Sequence, residues 1–284
     1  AFFIFKLRGK TIQMKQLCAL LLLSGTFTIL HAQPLTVTPA EADAGSPFSV
    51  VNLATQILPG PDVQILDVSH NGPLEAIGLF TGGLNSIGID SGLVISTGPV
   101  QVLTSGGPGD EESTDFAAPG YPDLDALAGE QTGDATVLTI TFLPQTDQFS
   151  LRYVFGSEDY PEFVCDDYND PIGFFLSGPG IAGPFSNEAL NLATVPGKPD
   201  IPVSVNTVND RMPTGQPTGC DLADPDWTDN AIFFSGLSPE LVFEGYTKVL
   251  PAHPQTVIPG MTYTLVIAIA DKGDRLYDSA LFLA

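Results

Sequence analysis

Positive charge is scarce in this sequence: ten Lys and Arg stand against 33 Asp and Glu in 284 residues, a formal net charge of −23. Four of the ten, Lys6, Arg8, Lys10 and Lys15, fall within the first 32 residues, which contain no acid. The remainder therefore carries six bases and a net charge of −27. A surface of that sign repels nucleic acid and anionic lipid head groups and attracts cations. Histidine is equally sparse. Only His70 and His253 lie beyond residue 32, neither at ligand spacing from a cysteine, which argues against zinc. No G-x-S-x-G segment occurs, so serine-type acyl transfer lacks its nucleophile elbow. After residue 32 no apolar run approaches the ~20 residues of a membrane-spanning helix, and there is no fixed-period repeat or low-complexity linker. Disorder does not explain the acidity, because 43% of the chain is hydrophobic, with 18 Phe, and only 15% is charged.

The opening segment reads differently. Met14 and Lys15 are followed by the apolar run Leu17 to Leu23, by Ser24-Gly25 and Phe27 to Leu30, and then by His31-Ala32-Gln33. A basic start, an apolar middle and a small residue before the cut make a secretory signal peptide over residues 14–32, cleaved after Ala32. Residues 1–13 are read as upstream read-through and kept out of fold reasoning. Export removes Cys18 and leaves Cys165 and Cys220 as an even pair in an oxidising compartment. A disulfide between them is expected. Closing a loop of 55 residues, it contributes roughly 3–4 kcal/mol in the chain-entropy treatment.

Residues 33–284 read as a single all-β domain with one or two short helices. Ser46 is placed as N-cap with Pro47 at the first helical position of a helix that Pro59-Gly60 stops, and Asp123 to Ala128 form a further helical turn. Elsewhere short β-branched and aromatic runs stand between Gly, Pro, Asn and Asp clusters. They are Val63–Val68, Leu93–Ser96, Ala135–Phe142, Phe149–Phe155, Ile172–Leu176, Ile201–Asn206, Ala231–Phe234, Thr262–Ala270 and Ala280–Leu283. Strands at that spacing without intervening helices predict a two-sheet β-sandwich of jelly-roll type. The last residues read as a strand, so the parent protein is expected to continue beyond residue 284.

The acids gather at predicted strand ends. Asp110-Glu111-Glu112, Asp123 with Asp125, Glu158-Asp159, Asp166-Asp167 with Asp170, Asp224 with Asp226, and Asp271 with Asp278 are the main groups. Carboxylates crowded at one rim repel unless a cation sits among them, and Ca²⁺ accepts six to eight oxygens in loose geometry. No segment fits the EF-hand loop, so a calcium site must be assembled from distant loops. Glu158, Asp170, Asp123, Asp125, Asp271 and Asp278 are its best-placed ligands.

Ordered motifs give the chain a family likeness. Tyr153-Val154-Phe155-Gly156-Ser157-Glu158-Asp159-Tyr160-Pro161-Glu162-Phe163-Val164-Cys165 runs on to Asn169-Asp170-Pro171-Ile172-Gly173-Phe174-Phe175-Leu176-Ser177-Gly178-Pro179-Gly180-Ile181. Segments 88–98 and 121–129 precede it, and 203–209, 267–271 and 277–283 follow. In this order they resemble the choice-of-anchor L domain of secreted bacterial surface proteins, over roughly residues 35–284. Ala280 stands where the family usually has Gly, and Asp159 where Glu is frequent; neither change removes an oxygen ligand. The resemblance implies secretion or attachment at the bacterial cell surface, and domains that precede varied C-terminal sorting signals.

Enzyme chemistry finds weaker footing. Glu158 with Glu162 or Asp170 offers the carboxylate pair of a glycoside hydrolase, although acids this abundant supply pairs by chance. Asp90-Ser91-Gly92 and Asp278-Ser279-Ala280 mimic an aspartic-protease dyad, but the second copy lacks its Gly. Trp227, on an acidic loop, is either a stacking platform for a sugar ring or an anchor packed on the sandwich. The expected function is a non-catalytic surface module, adhesive or structural and stabilised by Ca²⁺, whose partners are an extracellular polymer, a glycan or a surface protein. The alternative is a carbohydrate-binding module or glycoside hydrolase of a polysaccharide-degrading surface system.

Overall fold

A computed structural model describes residues 33–57, 60, 62–104 and 113–284. The read-through (1–13), the signal peptide (14–32), the Pro59 helix stop, the Gly-rich stretch 105–109 and the acids Asp110, Glu111 and Glu112 lie outside the described residues. The elements run in chain order as β1 (Thr36–Pro39), α1 (Val50–Ile57), β2 (Val63–Asn71), β3 (Ile77–Thr81), β4 (Ser91–Ser96), α2 (Pro122–Ala128), β5 (Thr132–Pro144), β6 (Gln148–Phe149) and β7 (Arg152–Ser157). They continue as β8 (Ile172–Ser177), β9 (Leu190–Asn191), α3 (Thr218–Ala223), β10 (Gly245–Tyr246), β11 (Leu250–Pro251), β12 (Gln255–Thr256), β13 (Tyr263–Lys272) and β14 (Ser279–Leu283). The chain is thus mostly β with few helices, as expected of its sequence.

Every strand pairing is antiparallel. One sheet has the order β1-β3-β4-β14-β7-β10, with β11 also on β7; the other is β2-β5-β13-β8-β9, and β12 and β6 make a small pair. The two larger sheets share a core in a sandwich-like arrangement. Ile77, Leu93, Ile95, Tyr153, Phe155, Leu281 and Leu283 of the first belong to one buried cluster with Leu138, Ile140, Phe142, Phe174, Leu176, Leu265, Ile267 and Ile269 of the second.

Alternation explains why several strands are apolar throughout. Successive side chains of a strand point to opposite faces. On β14, Leu281 and Leu283 enter the shared core, while Phe282 packs outward with Phe80, Val154 and Phe243. On β13, Ile267 and Ile269 face inward, while Ala268 and Ala270 meet Leu124 of α2 and Phe175 on the outer face. Both faces of these central strands are covered, so polar positions disappear from their sequence.

Some expectations need correction. The first helix begins at Val50 rather than Pro47, because the Ser46 hydroxyl accepts the Phe48 amide and donates to Glu41, closing a turn before the helix. Ser49 then accepts the Asn52 amide at the helix start. Ile201–Asn206 is not a strand: its valines are buried, but Thr207 bonds back to Ser204 and Pro202 and folds the segment into turns. Ala231–Phe234 falls mostly in a 3₁₀ helix, Trp227–Phe233. Phe149–Phe155 is divided between β6 and β7, and β1, β3, β9, β10, β11, β12 and α3 were not foreseen.

Candidate metal centre

One rim of the molecule collects the ends of six strands. β14 pairs Ser279 with Ser157 of β7 and Ala280 with Ser96 of β4. β13 pairs Ile269 with Ile172 of β8 and Asp271 with Gly133 of β5. Glu158 and Asp159 follow β7, Asp170 precedes β8, Asp271 closes β13, Asp278 opens the run into β14 and Asp134 lies early in β5. Chain direction and register therefore bring these acids to one place, although up to 144 positions separate them in sequence.

All of them are buried, Asp271 and Asp278 at 1% exposure and Asp159 at 2%. Their oxygens are not equally engaged. Asp170 Oδ1 accepts the Lys272 amide at 2.9 Å and its Oδ2 the Ser279 hydroxyl at 2.7 Å. Asp134 accepts the Phe116 and Ala118 amides at 2.8 and 2.6 Å. Asp278 Oδ1 accepts the Thr114 amide at 3.2 Å, so the segment 114–118 is strapped across the rim. By contrast, Asp159 Oδ2 and both oxygens of Asp271 are buried without a hydrogen-bond partner among the described residues. The Thr97 hydroxyl, which accepts the Ser279 amide at 3.0 Å, lies on the Asp271 side of the rim. Gly98 follows, and a Cβ there would overlap the Asp278 carboxylate, so only Gly lets the chain pass.

The electrostatics follow from this burial. Loss of water lifts the Asp159 carboxyl to about 7; the Asp170 amide opposes the shift and the charge of Asp274 adds to it. Burial lifts Asp271 further, to about 9; the Thr97 hydroxyl counters this, and the charges of Asp278, Asp134 and Asp159 reinforce it. Asp170 rises well above the ordinary carboxylate range by burial and by the charges of Asp159 and Asp271, despite its two hydrogen bonds. Arg275, 3.9 Å from Asp134 and within electrostatic reach of Asp271, supplies part of the counter-charge these carboxyls need, and protons or a bound cation supply the rest. Among the described residues, no three His, Cys, Asp or Glu side chains already gather closely enough to hold a metal ion by themselves.

A polar cleft of about 560 Å³ reaches this rim, lined by Asp115, Gln131, Thr132, Asp271, Asp274 and Arg275 among others. Arg275 pairs with Asp115 at 3.0 Å at its edge. Of the six expected ligands, Glu158, Asp170, Asp271 and Asp278 share the rim. Asp123 and Asp125 are engaged on α2: Asp123 Oδ1 accepts the Ser186 amide and hydroxyl, and Asp125 Oδ1 accepts the Thr132 amide and hydroxyl. Asp134, which lies inside a strand with φ 46°, was not among the expected ligands, nor was Asp159, although its acidic group was.

The loop that carries Glu158 to Asp170 is held by the disulfide Cys165–Cys220, which joins it to α3. Asn206 reinforces the joint, accepting the Cys165 amide at 2.7 Å and donating to the Asp166 carbonyl at 2.7 Å. Trp227 is 6% exposed within the main core and donates its indole N–H to Asp221 at 2.9 Å, the arrangement of a loop anchor. Asp90 precedes β4 while Asp278 lies by its far end, a strand of six residues or about 20 Å away, so the two do not form a dyad. No helix among the described residues is long and apolar enough to cross a membrane.

The sequence model of the choice-of-anchor L domain family matches residues 41–284. No curated protein and no solved structure matches the chain.

Proposed function

The chain belongs to the choice-of-anchor L domain family, and on that premise we propose that it is a non-catalytic module displayed at the bacterial surface, adhesive or structural and stabilised by Ca²⁺. The family membership implies a secreted or cell-surface protein. The observation that carries the calcium reading is the buried rim of Asp159, Asp170, Asp271 and Asp278, whose mutual repulsion a hard cation relieves. The non-catalytic reading is supported by how the acids are used. Asp170, Asp134, Asp123 and Asp125 hold backbone amides or hydroxyls rather than standing open to a substrate, and Trp227 is packed inside.

The architecture is read as a jelly roll. The order β4-β14-β7-β10 in one sheet and β5-β13-β8-β9 in the other supports this, since β4 and β5, β7 and β8, and β13 and β14 go to different sheets, and β13 and β14 return beside β5 and β4. A sandwich of this kind presents a stable body whose rims carry the ligand-binding loops. Its partners, on this reading, are an extracellular polymer, a glycan or a surface protein.

The purified protein is expected to release no reducing sugar from bacterial, plant or host polysaccharides. Release of reducing ends, abolished by Asp170→Asn, would replace the module reading with a glycoside hydrolase. Binding on a glycan array without hydrolysis would identify the partner as a carbohydrate and leave the non-catalytic reading standing.

A further inference from the structure

We infer that the rim holds one Ca²⁺ ion anchored by Asp271 and Asp159, with Asp170, Asp134 and Asp278 as the frame that positions them and the cleft beside Asp271 as the ion's path to solvent. This rests on the calcium reading above and names its site. The rim carboxylates differ in what their oxygens already do. Both oxygens of Asp170 accept hydrogen bonds, from Lys272 and Ser279, and Asp134 accepts two amides of the strap. Asp278 is tied to the Thr114 amide. Such groups orient a site and do not change partners when an ion arrives.

Asp271 differs in kind. It is 1% exposed, neither oxygen has a hydrogen bond of normal geometry among the described residues although the Thr97 hydroxyl lies near enough to counter its upward shift, and it lines the cleft. Asp159, 2% exposed, adds a third open oxygen, on a second carboxylate within electrostatic reach of Asp271. A buried carboxylate with no donor is costly, and it persists where a ligand completes it. The remaining coordination falls to water from the cleft, which suits Ca²⁺, whose shell of six to eight oxygens tolerates irregular geometry. Asp274 lines the same cleft and adds negative charge on the path, while Arg275 offsets Asp115 at its edge.

Calorimetric titration of the purified chain with CaCl₂ at constant ionic strength tests the assignment, with Asp271→Asn and Asp123→Asn run beside the parent. The expected result is one site per chain, affinity weakened at least tenfold by Asp271→Asn, and affinity unchanged by Asp123→Asn, whose side chain serves Ser186. With chelator present, Asp271→Asn should melt close to the parent, because a neutral amide of the same shape replaces a carboxyl whose ionised form burial already disfavours; that shows the variant is folded. Calcium binding that Asp271→Asn leaves intact overturns this site while sparing the calcium reading. Failure of the parent to bind Ca²⁺ at all overturns both. If Asp271→Asn melts early in chelator, Asp159→Asn takes its place with the same two criteria.

Discussion

A Cys165→Ala/Cys220→Ala double variant is expected to lose roughly 3–4 kcal/mol of unfolding free energy in urea, with a larger denaturant slope than the parent. The lost stability is that of a 55-residue loop no longer closed in the unfolded chain. The slope rises because an uncrosslinked unfolded state exposes more surface. Alanine is the right replacement, since Cys220 is fully buried and Cys165 nearly so, and a serine hydroxyl would enter without a partner. The loss should also reach the rim. The bridge fixes the segment between Glu158 and Asp170, so calcium affinity should fall in the same variant. An unchanged midpoint would show that the Asn206 hydrogen bonds and the core hold that loop unaided.

Phe174→Ala is expected to cost about 3–5 kcal/mol and to lower the urea midpoint at constant slope. Phe174 is fully buried on β8 at the centre of the shared core, edge-on to Tyr153 of the opposite sheet with ring centroids 4.7 Å apart. Its strand lies against β13 through Ile267 and has few ways to collapse into the space left. A loss below about 1 kcal/mol would mean that the two sheets do not pack through this position.

Much of the β framework was legible because its signal is local. The runs around Ile172, Ala135 and Thr262 contain the β-branched and aromatic residues that a strand with both faces covered requires; β5 extends its run at both ends, β8 adds one residue, and β13 starts one residue later and runs two further. Ile201–Asn206 has the same composition and misled for that reason: its valines are buried by the loop's packing, while Thr207 and Ser204 settle the backbone as turns. α3 was hidden because Thr218-Gly219-Cys220 has poor helix propensity, and the disulfide with the neighbouring loop hydrogen bonds holds it.

At the rim, strand ends told where acids collect but not which of them are spoken for. Asp123 and Asp125 look like ligands in sequence. Only the fold places Ser186 and Thr132 against them, the first of these 63 positions away. Asp134 immediately precedes the expected strand Ala135–Phe142 but stands without the neighbouring acids that marked the other groups. Its role depends on the 114–118 strap, which crosses the rim only in three dimensions.

Thermal unfolding of the purified chain at fixed ionic strength, with chelator, with millimolar Ca²⁺ and with equal Mg²⁺, tests the calcium-stabilised rim most directly. At free Ca²⁺ a hundredfold above its dissociation constant, binding adds about 2.7 kcal/mol, a rise of roughly 5–10 °C in midpoint for a domain of this size. Mg²⁺ should do much less, because it dehydrates reluctantly and demands octahedral geometry that two open carboxylates do not impose. The account predicts a Ca²⁺ midpoint clearly above the other two. Equal midpoints in all three, or a rise with Mg²⁺ as large as with Ca²⁺, would contradict it.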